Sequence, residues 1–235
     1  MACAAVVQVG PARQTFWALL DRTTGALRER TRLIPRRGEV VLDTQRMRIS
    51  DRGVELDLEL QEGDGVVALC RHGRHAVWTR KQAGINAQGT LRRGTGPTRG
   101  IEALAVVDDT CGHHARVTEW RWSAGVGELL DGTPVAWNLV SGVNDPRSGS
   151  ERAVWLDGVP REAPPVAFAD DLSKITCEDG SELSFAPEAE RSHRERMLIV
   201  SSDYRAPFGT FSGTLPGALK LATGLGVMEH HRARW

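Results

Sequence analysis

Hydrophobic and polar residues alternate along much of this chain with a period of two, the pattern of half-buried β-strands. The cleanest case is VELDLEL at 54–60, where Val54, Leu56, Leu58 and Leu60 share one face and Glu55, Asp57 and Glu59 the other. The stretch that organises the rest is Thr118–Pro146, which reads as one long hairpin carrying three of the seven tryptophans. In its first arm Trp120 and Trp122 share a face, and Glu119, Arg121 and Ser123 take the other. In its second arm Val135, Trp137 and Leu139 oppose Ala136, Asn138 and Val140. Gly127 and Asp131-Gly132 are expected to supply the positive-φ positions of the turn.

Shorter runs predict strands at Ala4–Val9, Phe16–Leu20, Ala26–Leu33, Glu39–Leu42 and Arg46–Ser50, then at 77–84, 85–92 and 101–107. Ala26–Leu33 contains good helix formers, but no 3.6-residue apolar stripe continues past it. Beyond the hairpin, Ala153–Asp157 and Val166–Asp170 are expected around the turn Asp157-Gly158, and Lys174–Cys177 and Glu182–Phe185 around Glu178-Asp179-Gly180. Met197–Tyr204, Phe208–Leu215 and Leu221–Glu229 complete the set. Gly209, Gly213, Gly224 and Gly226 in the last strands predict bulges, bends or close backbone approach. About sixteen short strands at this spacing, with no long helix, imply an all-β antiparallel fold. A barrel is favoured over a sandwich because closure leaves no free edge.

At 235 residues the chain is expected to form a single all-β domain over 1–235, with the Gly/Arg/Pro/Thr loop at 93–100 as the candidate subdomain break. Lys+Arg and Asp+Glu both total 30, so no overall charge excess argues for nucleic acid or an anionic membrane, although local basic clusters remain open. Cys3, Cys70, Cys111 and Cys177 form no C-x-x-C pair and read as reduced, buried thiols of a cytoplasmic protein. No apolar run has the ~20 residues of a membrane helix.

The motifs WTRKQAG, WRWSAGVG, DGTPVAWNLVSGVND, ERAVWLDGVP, FGTFSGTLPG and GVMEHHRARW, in fixed order from about Phe16 to Trp235, resemble the domain-of-unknown-function family numbered 2804. The resemblance implies a bacterial, actinobacterial protein with no established reaction. It also implies a distant likeness to the lipocalin-like, or calycin-like, barrels of carotenoid hydratases. The family's pattern places a longer basic-aromatic segment ahead of Phe16-Trp17, so the chain is either a short member or one whose start is placed too late; were strands missing, the barrel would be left open with an edge along Ala4–Val9 or its neighbour.

Candidate chemistry falls in a few places. DDTCGHH brings together Asp108, Asp109, His113 and His114, types suited to acid/base work; the alternative is a polar turn tipped by Gly112. Glu229, His230 and His231 form a second polar run, and no metal site is assigned to either. Trp78-x-Arg80 with Lys81 suggests an anion-binding or aromatic pocket wall. Asn138, Asn144, Asp145, Glu151 and Asp157 surround the far end of the hairpin as a possible carboxylate pair for glycoside chemistry. G-x-S-x-G, P-loop, H-E-x-x-H and dinucleotide fingerprints are absent.

The leading expectation is a barrel interior holding an apolar or amphipathic small ligand, with Trp78, Trp120, Trp122 and Trp137 as walls and Arg80 and Asn138 as polar groups. The hydratase likeness implies cofactor-free acid/base chemistry on a lipophilic substrate by Asp108 or Asp109, His113 or His114, and Glu229. The competing expectations are a carbohydrate-active protein and a β scaffold without chemistry. No nucleic-acid partner, membrane span or cofactor is expected.

Overall fold

The structure, a computed structural model, describes residues 1–63, 65–196 and 201–234. Eighteen strands and no helix occur among them. They are β1 Ala2–Val9, β2 Ala12–Asp21, β3 Ala26–Arg32, β4 Val40–Asp43, β5 Arg46–Asp51, β6 Val54–Leu60, β7 Val66–His72, β8 His75–Arg93 and β9 Arg99–Gly112. The second half holds β10 Val117–Leu129, β11 Pro134–Ser141, β12 Ala153–Leu156, β13 Val159–Glu162, β14 Val166–Phe168, β15 Lys174–Cys177, β16 Glu182–Arg196, β17 Ser201–Leu215 and β18 Leu219–Arg234. Contacts gather into two units, Met1–Gly63 with Ile85–Ala105, and Asp64–Gly84 with Val106–Trp235. The loop at 93–100 lies inside the first unit as the β8–β9 connection.

The first unit holds the three-stranded sheet β1-β2-β3 and the run β4-β5-β6 paired to the second half of β8. Its core takes the inward residues of the alternating strands, including Trp17, Leu19, Ile49, Val54, Leu56 and Leu58. Trp17 donates its indole N–H to Asp51 at 3.2 Å, which satisfies the one polar atom that its burial would strand.

The second unit contains a nine-stranded antiparallel sheet in the order β13-β12-β11-β10-β18-β17-β16-β15-β14. It curls, because its last strand β14 comes back against β11. Inside the curl Leu129, Val135, Trp137, Leu139, Ile175, Phe185, Phe211 and Met228 belong to one buried cluster. Trp137 lies edge-on to Phe211 with centroids 5.0 Å apart. It also lies against Gly125, where any Cβ would come within 2.2 Å of its ring. Gly125 pairs with Gly226, and Gly226 with Gly209, so the indole fills a trough of missing side chains. Burying a ring of this size contributes on the order of 4–5 kcal/mol. Over the opposite face of the sheet lie β7 and the first half of β8, with Ala83 against Ala136, Ala153 and Trp155.

Several expectations change. Residues 77–84 and 85–92 are one nineteen-residue strand, β8. DDTCG is the end of strand β9 and not a turn. Val159–Glu162, not Val166–Asp170, pairs with β12 across Asp157-Gly158, and Val166–Phe168 pairs with β15. Gly127 is mid-strand, where a Cβ would meet the Thr223 carbonyl at 2.1 Å, so only Gly132 of the two takes a positive-φ turn position. β7 was not predicted, because its inward residues are Ala68, Cys70 and His72 while Val67 and Leu69 face out. Of the expected strand Met197–Tyr204, residues 197–200 lie outside the described residues.

Candidate functional site

The face of the curled sheet away from Trp137 carries polar and aromatic side chains in register. Cross-strand pairing sets His193 opposite Tyr204, Tyr204 opposite His231, and His231 opposite Trp120, in one row across β16, β17, β18 and β10. The next pair along is Trp122 and Glu229. Trp120 donates its indole N–H to the Glu229 carboxyl at 2.8 Å and packs against His231 at a tilt, with ring centroids 4.3 Å apart. The Tyr204 hydroxyl also bonds the Glu229 carboxyl. His231 Nε2 meets the Ser202 hydroxyl at 2.8 Å. Trp122 donates to Asn138 Oδ1 at 2.7 Å, and Asn138 Nδ2 donates to the Glu151 carbonyl at 2.8 Å. Trp120, Trp122, Glu229 and His231 are all half-buried: enclosed, yet still reached by solvent.

A charged network adjoins this row. Lys81, on the inward face of β8, is 3% exposed. Its ammonium lies 2.5 Å from Asp108 of β9 and 3.5 Å from Glu151. Glu151, equally buried, accepts a second bond from Asn144 at 3.1 Å. Two carboxylates around one buried ammonium meet the requirement that buried charges be paired.

Burial pushes the Glu229 carboxyl up to about 7; its bond from Trp120 opposes this and the nearby Asp108 charge adds to it. Burial likewise pushes the His231 imidazole down to about 4, helped by the charges of His230 and His114. Burial would lower the Lys81 ammonium, but Asp108 and Glu151 outweigh it and hold Lys81 above its ordinary value. Glu151 is raised, first by burial and then by Asp108, against the pull of Lys81. At neutral pH the site therefore combines a carboxylic acid near its midpoint, a neutral imidazole and a fixed ion pair. That is the equipment of general acid–base chemistry.

The family described as domain of unknown function (DUF2804) matches residues 27–235. The chain belongs to the DUF2804 family. No curated protein matches it. Among solved structures, an AttH-assigned protein of Nitrosomonas europaea is similar with a TM-score of 0.59 at 16% identity, covering 95% of this chain and 82% of that one. Kievitone hydratase of Nectria haematococca is similar with a TM-score of 0.59 at 9% identity, covering 100% of this chain and 83% of that one. At such identities the likeness concerns the fold, which is all-β, antiparallel and lipocalin-like.

In this DUF2804 chain the expected site residues separate into two sets. Asp108, Glu229, Trp120, Trp122 and Asn138 come together as described. Asp109 faces the other way and pairs with Arg80 at 3.5 Å. Trp78 and Arg80 lie on the face of β8 opposite Lys81, with Trp78 37% exposed, so the inward cation of that segment is Lys81. Trp137 is core on the far side of the sheet, and no bulge brings it to Asn138's face. His113 lies against exposed His75 with the rings tilted, and His114 meets buried His72 edge-on; His114 is near enough for its charge to lower His231. No group of three or more metal-ligating side chains converges among the described residues. Of the proposed glycosidase carboxylates, Asp145 caps the Gly142 amide at 2.8 Å and Asp157 takes a positive φ in its turn. Tyr204, the chain's single tyrosine, was not anticipated. Its one signal is its place in a strand that pairs with the His231 strand.

Proposed function

We propose that this face of the second unit binds a lipophilic small molecule and carries out cofactor-free acid–base chemistry on it, with hydration of a carbon–carbon double bond as the reaction class. The carrying observation is Glu229, a carboxyl raised to about 7 and held by Trp120 and Tyr204. A protonated Glu229 donates its proton to one alkene carbon, water adds to the other, and Asp108, fixed by Lys81, takes the proton that water releases. The sum is alkene plus water to alcohol. Trp120 and Trp122 supply half-buried apolar surface, and the likeness to a hydratase supports the reaction class. The free thiols of Cys70, Cys111 and Cys177 support a reducing, cytoplasmic setting.

The glycoside reading loses ground because, of its carboxylates, Glu151 is buried against the Lys81 ammonium, Asp145 is tied to the Gly142 amide and Asp157 sits in a turn. The scaffold reading leaves the buried ion pairs and the raised carboxyl without a role.

The test incubates the protein with a panel of isoprenoid and flavonoid alkenes in ¹⁸O-water and follows the products by mass spectrometry. Incorporation of one labelled oxygen, lost in E229Q and declining as pH rises through about 7, is the expected outcome. Tryptophan fluorescence that no member of the panel quenches, with no labelled product, would remove the proposal.

A further inference from the structure

We propose that the β3–β4 loop and the cleft beside it dock the protein onto an anionic lipid bilayer. The segment Arg32-Leu33-Ile34-Pro35-Arg36-Arg37 leaves β3 and turns back into β4, all within the first unit. Arg32 is engaged internally, with Glu39 and with Asp51 at 3.3 Å, which anchors the base of the loop. Beyond that anchor Leu33 is 52% and Ile34 86% exposed. A cleft of about 370 Å³ opens next to them, lined by Arg13, Arg36, Arg37, Thr15, Pro35 and the first residues of β4. Among the described residues Arg13, Arg36 and Arg37 have no carboxylate partner. Leu42 of the cleft wall is a further apolar group, 38% exposed.

Two protruding aliphatic side chains beside three unpaired guanidinium groups match the two layers of a membrane surface. Apolar prongs enter the acyl boundary while arginines take headgroup phosphates. Duplex nucleic acid fits less well, since a phosphate backbone offers nothing to Ile34. The chain's net charge is zero, so the attraction is local to this loop and not a property of the whole protein.

Flotation of the intact protein with vesicles tests this. We expect recovery with vesicles of mixed phosphatidylcholine and phosphatidylglycerol, little with phosphatidylcholine alone, and loss of binding as salt shortens the Debye length. R36Q/R37Q lowers the partition coefficient roughly thirtyfold. L33S/I34S lowers it on the same vesicles without changing the salt dependence. Both pairs are exposed, so unchanged thermal midpoints are expected and are checked alongside. No recovery with either vesicle, or recovery independent of phosphatidylglycerol, overturns the proposal. Thermal protection by millimolar inorganic phosphate without vesicle binding also overturns it, in favour of a soluble-anion site. Binding to a DNA duplex in place of vesicles overturns it in favour of nucleic acid.

Discussion

Glu229 and His231 stand two residues apart on one strand face, and their titrations act on stability in opposite directions. The Glu229 carboxyl is raised in the folded state from 4.5 to about 7. Folding is therefore fully favoured by this group below about pH 4.5, and the contribution is lost as pH rises through 7, because the unfolded chain releases the proton first. The His231 imidazole is lowered from 6.5 to about 4. Its contribution is intact above 6.5 and is lost as pH falls toward 4, because the unfolded chain takes up a proton that the folded one refuses. At about 1.4 kcal/mol per pH unit, discounted for the half-buried positions, each effect is on the order of 2–3 kcal/mol. Between about pH 4.5 and 6.5 the two slopes nearly cancel in the wild type.

Single substitutions separate them. E229Q keeps an acceptor for Trp120 but cannot titrate, so relative to wild type it gains roughly 2–3 kcal/mol between pH 4.5 and 7 and holds that gain above. H231Q gains a similar amount, roughly 2–3 kcal/mol, as pH falls from 6.5 to 4. Urea denaturation followed by tryptophan fluorescence across pH 4–9 reads both differences, and groups elsewhere cancel in the comparison. Three parallel stability curves would mean that neither group is shifted, and the acid–base reading of the site would lose its carrier.

Three further outcomes follow from the packing. K81M leaves Glu151 and Asp108 facing each other without their cation; it costs about 3–5 kcal/mol near pH 8 and much less near pH 4, measured by thermal melts at the two pH values. G125V drives a branched side chain into the Trp137 ring and toward the Leu225 carbonyl, 2.7 Å from the Cβ position; it destabilises by about 3 kcal/mol or more and erases near-UV circular dichroism, while a change below about 1 kcal/mol would contradict the trough. A thiol reagent labels exposed Cys111 in the native protein, whereas buried Cys70 and Cys177, whose thiol is pushed up to about 12, react only after unfolding; native labelling of Cys177 would contradict its burial.

The strands that alternate cleanly were legible, and those that invert the rule were not. VELDLEL became β6 with every leucine inward, because acidic residues on the other face leave one orientation open. β7 turns Val67 and Leu69 outward and Cys70 and His72 inward, so hydropathy points the wrong way along it. The far half of β16, EAERSHRER, carries almost no apolar residue. It is held as strand by its ladder to β17 from Ala189↔Phe208 to Arg196↔Ser201, a tertiary cause that local pattern does not record.

The site was legible in its faces and not in its partners. Alternation alone sets Trp122 and Trp137 on opposite sides once β10 and β11 are paired through the turn at Gly132. The structure keeps them there, so the rule that brings Trp122 to Asn138 also removes Trp137 from any pocket. What alternation cannot supply is which distant strand lies alongside. The bond from Trp120 to Glu229 spans 109 residues, and the ion pair from Lys81 to Glu151 joins β8 to the connection between β11 and β12. Those long-range pairings determine which carboxyl is desolvated beside an indole and which is tied to an ammonium. Glu229 and Asp108 look alike in the sequence and differ in chemistry only because β18 lies beside β10 while Asp108 meets Lys81.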